Sequence, residues 1–129
     1  MRWKLDGAAA NFSMAVDEAH HRLFVGCRAP AVLVVLDTNS GDLVTKLPIP
    51  GDVDDIYYEK GMHRLLAVCG AGSIAVIDQV TPETYKVIAT MPTAPGARTG
   101  LLVPAWKSLF VAVPESAGHG AEIRRYSVN

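Results

Sequence analysis

The chain has little that would mark a chemistry. Only two of its 129 residues are cysteine, Cys27 and Cys69. That excludes a disulfide-stapled scaffold and an all-thiolate zinc site. Charge of one sign is not in excess: 12 basic side chains face 13 acidic ones, a formal net charge of −1. Such a balance points to neither nucleic acid nor an anionic membrane surface as a partner. No apolar run approaches the roughly 18 residues of a membrane-spanning helix. Helical periodicity is absent as well. No Gly-x-Ser-x-Gly nucleophile elbow occurs. No His, Cys or carboxylate spacing matches a zinc site, so no metal is expected. Gly70-Ala71-Gly72 lacks the strand–turn–helix context of a phosphate loop. The sequence names no cofactor. The first ten residues carry charges where a signal peptide would be apolar. The expectation is therefore a cytoplasmic chain, or a periplasmic or secreted one if it was cut from a longer exported protein.

What is present is a phrase stated three times. Arg22-Leu23-Phe24-Val25-Gly26-Cys27 returns 42 positions later as Arg64-Leu65-Leu66-Ala67-Val68-Cys69. It returns again, 44 positions further on, as Ser108-Leu109-Phe110-Val111-Ala112-Val113. A second apolar phrase follows each, ending at Asp37, Asp78 and Ser127. A period in the low forties with several short strands per unit predicts β-propeller blades. The expected fold is all-β, one domain of three antiparallel four-stranded blades. Blade one covers about 13–50, blade two about 54–92, and blade three about 98–128 completed by an N-terminal strand over 2–5. Gln79–Thr84 is read as a longer connection replacing a tight turn. Cys27 and Cys69 fall at the same place in consecutive units. Neighbouring sheets stack about 10 Å apart, beyond the roughly 7 Å between Cα atoms that a disulfide spans. Two free, buried thiols follow.

The unit resembles the YVTN-type β-propeller repeat. Phe24-Val25-Gly26-Cys27, Val34-Val35-Leu36-Asp37-Thr38-Asn39-Ser40-Gly41 and Ala75-Val76-Ile77-Asp78 carry the likeness. Propellers of that family usually hold six to eight blades. The resemblance therefore implies that three blades are half of a ring, closed in a six-bladed homodimer.

In a propeller, ligands gather where the innermost strands begin. Aligning the units brings Phe12, Asp54 and Arg98 into one column and Ser13, Asp55 and Thr99 into the next. An Asp54–Arg98 or Asp55–Arg98 pair is expected to neutralise the channel mouth there. His119, on a Gly-rich loop, opens on the same end. Asp37 and Asp78 read as structural carboxylates that accept bonds from the turns after them. The function expected is non-enzymatic: a binding or interaction propeller for a small molecule or a protein ligand. The alternative is a metal-assisted hydrolase or lyase using Asp54, Asp55, Arg98 and His119.

Overall fold

The computed structural model describes all residues, 1–129. Eleven strands form three antiparallel sheets. The first holds β1 (Ala9–Asp17), β2 (Arg22–Ala29), β3 (Ala31–Asp37) and β4 (Leu43–Pro48), in that order. The second repeats the plan with β5 (Val53–Glu59), β6 (Arg64–Cys69), β7 (Ser73–Thr81) and β8 (Thr84–Pro92). The third holds only β9 (Gly100–Val103), β10 (Ser108–Val113) and β11 (Glu122–Ser127). A 3-10 turn, Pro104–Trp106, joins β9 to β10. No helix is long and apolar enough to cross a membrane.

Period-2 alternation explains the stacking, because successive side chains of a strand point to opposite sheet faces. Phe24, Leu33 and Val35 of the first sheet meet Leu65, Ala67 and Ile77 of the second in one core cluster. Leu66, Val68 and Ile74 leave the other face of the second sheet and meet Leu109, Val111 and Val113 of the third. Cys27 and Cys69 are free and buried, as expected. Their equivalence extends to the face: Cys69 lies on the side of the second sheet that meets the first, and Cys27 on the corresponding side of the first sheet, away from the second. Burial pushes the Cys69 thiol up to about 12, with Asp52 adding to the shift.

The strand-to-strand turns carry a repeated device invisible as a sequence motif. His21, His63 and Lys107, just before the second strand of each unit, all take left-handed backbone, at φ 55°, 51° and 47°. The following strand then starts on Arg22, Arg64 or Ser108. Arg22 pairs with Asp37 at 3.2 Å and Arg64 with Asp78 at 2.9 Å, so both carboxylates are structural. Asp37 also accepts the expected turn bond from the Asn39 amide at 2.7 Å. Asp78 has no such turn after it, because β7 runs on to Thr81. The long connection expected over Gln79–Thr84 is therefore a tight hairpin of two residues, Pro82 and Glu83. Val80 and Thr81 extend the strand past an irregularity between Gln79 and Thr81, and β-branched residues suit a strand.

The third unit departs most from expectation. Residues 2–5 form no strand in the single chain, and the third sheet stays three-stranded. The segment instead lies over the first sheet. Leu5 and Ala8 pack on the cluster of Val25, Cys27, Val34 and Leu36. The Trp3 ring seats directly on Gly41, where a side chain would collide with it. The physical reason is the apolar face beneath, which in a single chain has no other cover.

Between the first two sheets, Gly26 marks the tightest packing. A Cβ there would lie 2.5 Å from Ser13 Oγ and 2.8 Å from Ile56 Cδ1. Gly26→Ala is expected to destabilise the fold by about 1–3 kcal/mol, since neither neighbour can retreat from a packed core. Urea unfolding would measure it; an unchanged midpoint would mean that the sheets can part freely.

Candidate functional site

The candidate site is a belt of charge across one end of all three sheets. Arg28 ends β2 and reaches toward the second sheet. Its Nε donates to the Val53 carbonyl at 3.0 Å and its Nη2 to Asp54 Oδ1 at 2.7 Å. The guanidinium carbon stands 4.2 Å from the centre of the Phe12 ring, a cation–π distance. Asp52 then links two arginines. Arg28 Nε lies 3.3 Å from its Oδ1, and Arg98 Nε donates to its Oδ2 at 2.8 Å. The belt thus runs Phe12, Arg28, Asp54 and Asp52, Arg98.

Local backbone explains the arrangement. Asp52 is left-handed, with φ 61°, as are its repeat equivalents Ala10 and Gly96. A bulge between Val53 and Asp55 follows, matched by one between Asn11 and Met14 in the first sheet. Bulges re-aim side chains. Here the turn and bulge direct Asp52 toward Arg98 and turn Asp54 back toward Arg28. Gly70 makes room for the pair. A side chain there would collide with the Asp52 carboxylate and come within 2.8 Å of Arg98 Cγ.

The expected residues divide. Phe12, Asp54 and Arg98 are brought into the belt, but the direct Asp54–Arg98 or Asp55–Arg98 pair is not formed. Asp55 instead accepts the Gly100 amide at 2.9 Å, while the Tyr57 hydroxyl donates to the Gly100 carbonyl. These bonds tie β5 to β9. Burial first, then the Asp55 charge, raises the Tyr57 phenol above its ordinary value. Ser13 points between the first two sheets, and its buried Oγ has no partner. Thr99 is exposed, and its carbonyl accepts from the Ala112 amide at 2.9 Å. His119 bonds only within its own turn: Nε2 meets Ser116 Oγ at 2.8 Å and Nδ1 the Gly120 carbonyl at 3.0 Å. Asp52 and Arg28 were missed. Their signals were slight: an Asp after Pro50-Gly51, and an arginine where the second unit has Gly70 and the third Pro114.

Beside the belt, a groove of about 620 Å³ opens on the free face of the third sheet. Arg98 and Thr99 stand among its lining residues with Ala112, Val113 and Ile123. The outer nitrogens of Arg98 have no partner, and its side chain is 50% exposed. No three His, Cys, Asp or Glu side chains converge to hold a metal ion. The belt holds charges in fixed places and presents one open guanidinium.

No family model matches the chain. The uncharacterized protein YncE of Salmonella typhi is 26% identical over 115 residues, covering 88% of this chain and 32% of the relative. The uncharacterized protein YncE of Salmonella typhimurium is 25% identical over the same span. The chain thus covers about a third of the length of these curated relatives. Among solved structures, the β-propeller domain of Myceliophteria thermophila Cps50 (Swd1) superposes with a TM-score of 0.57 at 12% identity. That match covers 91% of this chain and 43% of the other. At such identity the likeness speaks of fold alone, and the fold is that of β-propeller blades.

Arg28→Ala is expected to destabilise the chain more than Arg98→Ala does. Arg28 holds a carbonyl, two carboxylates and a ring face while 28% exposed, worth about 1–2 kcal/mol. Arg98 is half-exposed and holds one carboxylate, worth at most about 1 kcal/mol after screening. Paired denaturation curves in low and high salt would rank them; the reverse order would contradict the belt as drawn.

Proposed function

We propose that the chain is a non-enzymatic recognition propeller, half of a six-bladed ring that a second copy closes. The observation that carries this reading is the apolar surface on the outer faces of the first and third sheets, the first only partly covered by the N-terminal segment. On the first sheet Met14 is 63% exposed, and Val16 and Leu43 are exposed with it. On the third, Leu101 and Ile123 are 61% and 69% exposed, and Trp106 stands edge-on to Phe110. Contiguous apolar surface of this kind marks an interface. Two copies related by a two-fold axis set the third blade of each against the first blade of the other. Six blades then form a closed ring, and closure protects sheet edges.

The N-terminal segment fits the same scheme. It precedes β1 and already lies on the face that the partner's third blade would meet. The outer edge of β11 is unpaired. In the ring, residues 2–5 pair with that edge in the partner, giving each third blade its fourth strand. The YVTN-type likeness supports the closed ring, since that repeat builds closed propellers. Both copies would bring Arg28, Asp52, Asp54 and Arg98 to one channel end. The ligand, a small molecule or a protein segment, meets the Arg98 guanidinium first, so an acidic group is its natural complement. Asp55 and His119 are engaged elsewhere and Asp54 is turned to Arg28, which favours binding over hydrolysis.

Ile123→Asp places a charge at the centre of the proposed contact and away from the folded core. It is expected to halve the apparent size on gel filtration while leaving the circular dichroism spectrum unchanged. Unaltered elution of this variant, at the volume of the native chain, would remove the third sheet's face from the interface.

A further inference from the structure

At the end of the molecule opposite the charged belt, an arginine ties each sheet to the next. Arg22 opens β2, and its side chain is 11% exposed. Its Nε donates to the Pro82 carbonyl at 2.9 Å, and its Nη2 pairs with Glu83 at 3.1 Å. Both partners belong to the β7–β8 hairpin of the second sheet. Arg64 opens β6 and repeats the reach. Its Nη1 donates at 2.7 Å to the main-chain oxygen of Asn129, just beyond β11 of the third sheet. Each guanidinium also holds a carboxylate of its own sheet, Asp37 or Asp78.

The third unit changes the residues but keeps a guanidinium at this corner. The strand pairings Arg22–Asp37 and Arg64–Asp78 are matched there by Ser108–Ser127. One strand over, Arg125 takes the position of Val35 and Val76, opposite Phe110. Val35 and Val76 are buried against the following sheet. Arg125 Nε donates to Ser108 Oγ at 2.8 Å, and its guanidinium carbon stands 6.0 Å from the centre of the Phe110 ring. The small serine therefore leaves a place that the neighbouring arginine fills. Two things are missing around it. Ser127 supplies no carboxylate, and the outer nitrogens of Arg125 have no partner in the chain.

The face that carries Arg125 is the outer face of the third sheet, which the two-copy ring sets against the first sheet of the partner. The repeat says which corner it meets there. Arg22 reaches Glu83, the residue immediately before β8, and the equivalent residue immediately before β4 is Asp42. Asp42 is exposed. Its amide donates to Ser40 Oγ at 3.1 Å and its carbonyl accepts from the Asp37 amide at 2.9 Å, which leaves its carboxylate unengaged.

We propose that Arg125 of one copy pairs with the partner's Asp42, twice in each two-fold ring. The pair rests on the ring reading and gives it a means of partner choice. Apolar faces alone accept any apolar sheet, whereas a guanidinium carried into an interface demands a carboxylate at one place.

The test combines two charge-reversed chains, Arg125→Asp and Asp42→Arg. Alone, each sets like charges together at both joints, which should raise its dimer dissociation constant about tenfold or more. Refolded together from urea in equal amounts, the two chains restore opposite charges at both joints. Native mass spectrometry, which tells the chains apart by mass, should then find the mixed dimer as about nine in ten of all dimers. The statistical share of about one half, with the native chain dimeric alongside, would overturn the pair and leave the ring standing. A monomeric native chain would overturn both. Should Arg125→Asp lose its fold with the Ser108 bond, Asp42→Arg carries the test, since the Asp42 carboxylate holds nothing in its own chain. Native affinity in that variant would overturn the proposal.

Discussion

The structure depends on the stacking of apolar sheet faces. No sheet here is thick enough to bury its own side chains, so each needs a neighbour on both sides. The second sheet has one on each side, and its strand β6 is the most completely buried of all. The first and third sheets each have one. Everything else follows from that asymmetry. The N-terminal segment lies where an apolar face would otherwise meet water. Gly26 exists to let two faces close to contact. The exposed Met14, Leu101 and Ile123 mark the faces still uncovered.

The two ends of the stack use different electrostatics. One end is a belt of guanidinium and carboxylate groups, partly hydrated, with arginines bridging from sheet to sheet. Pairs of this kind contribute little stability individually. They hold orientation, and they leave Arg98 open. The other end is a buried hydrogen-bond network in which Asp17, Gln79, Tyr58 and Tyr85 satisfy one another. Burial raises the Tyr85 phenol, and with Asp17 it raises that of Tyr58, so both remain hydrogen-bond donors. A satisfied network of this sort fixes the register of the first two sheets. The belt, by contrast, keeps groups available at the surface, the Arg98 guanidinium foremost.

Much of the fold was legible in the sequence, because the repeat carries the strands. Eleven of the expected strands are present at nearly the expected places. Repetition fixes which residues share a face, so Cys27 and Cys69 could be read as unbridged thiols. The site was less legible. Alignment by repeat assumes a regular strand, and the bulge after Val53 breaks that rule. It moves the partner of Arg98 from Asp54 to Asp52. Arg28 was hidden because its repeat equivalents, Gly70 and Pro114, carry no charge. The Asp17–Gln79–Tyr58 network joins residues from three strands, with no local pattern to announce it. Arg2–Leu5 has the spacing of a strand, but a strand forms only where a partner edge is offered, and its own chain offers a face.

The central claim is that three blades are half of an assembly. The most direct test is the mass of the unmodified chain in solution, by light scattering on a size-exclusion column at micromolar concentration. The account predicts twice the chain mass of 13.8 kDa, constant on dilution until the protein unfolds. A stable, folded species of 13.8 kDa would contradict it.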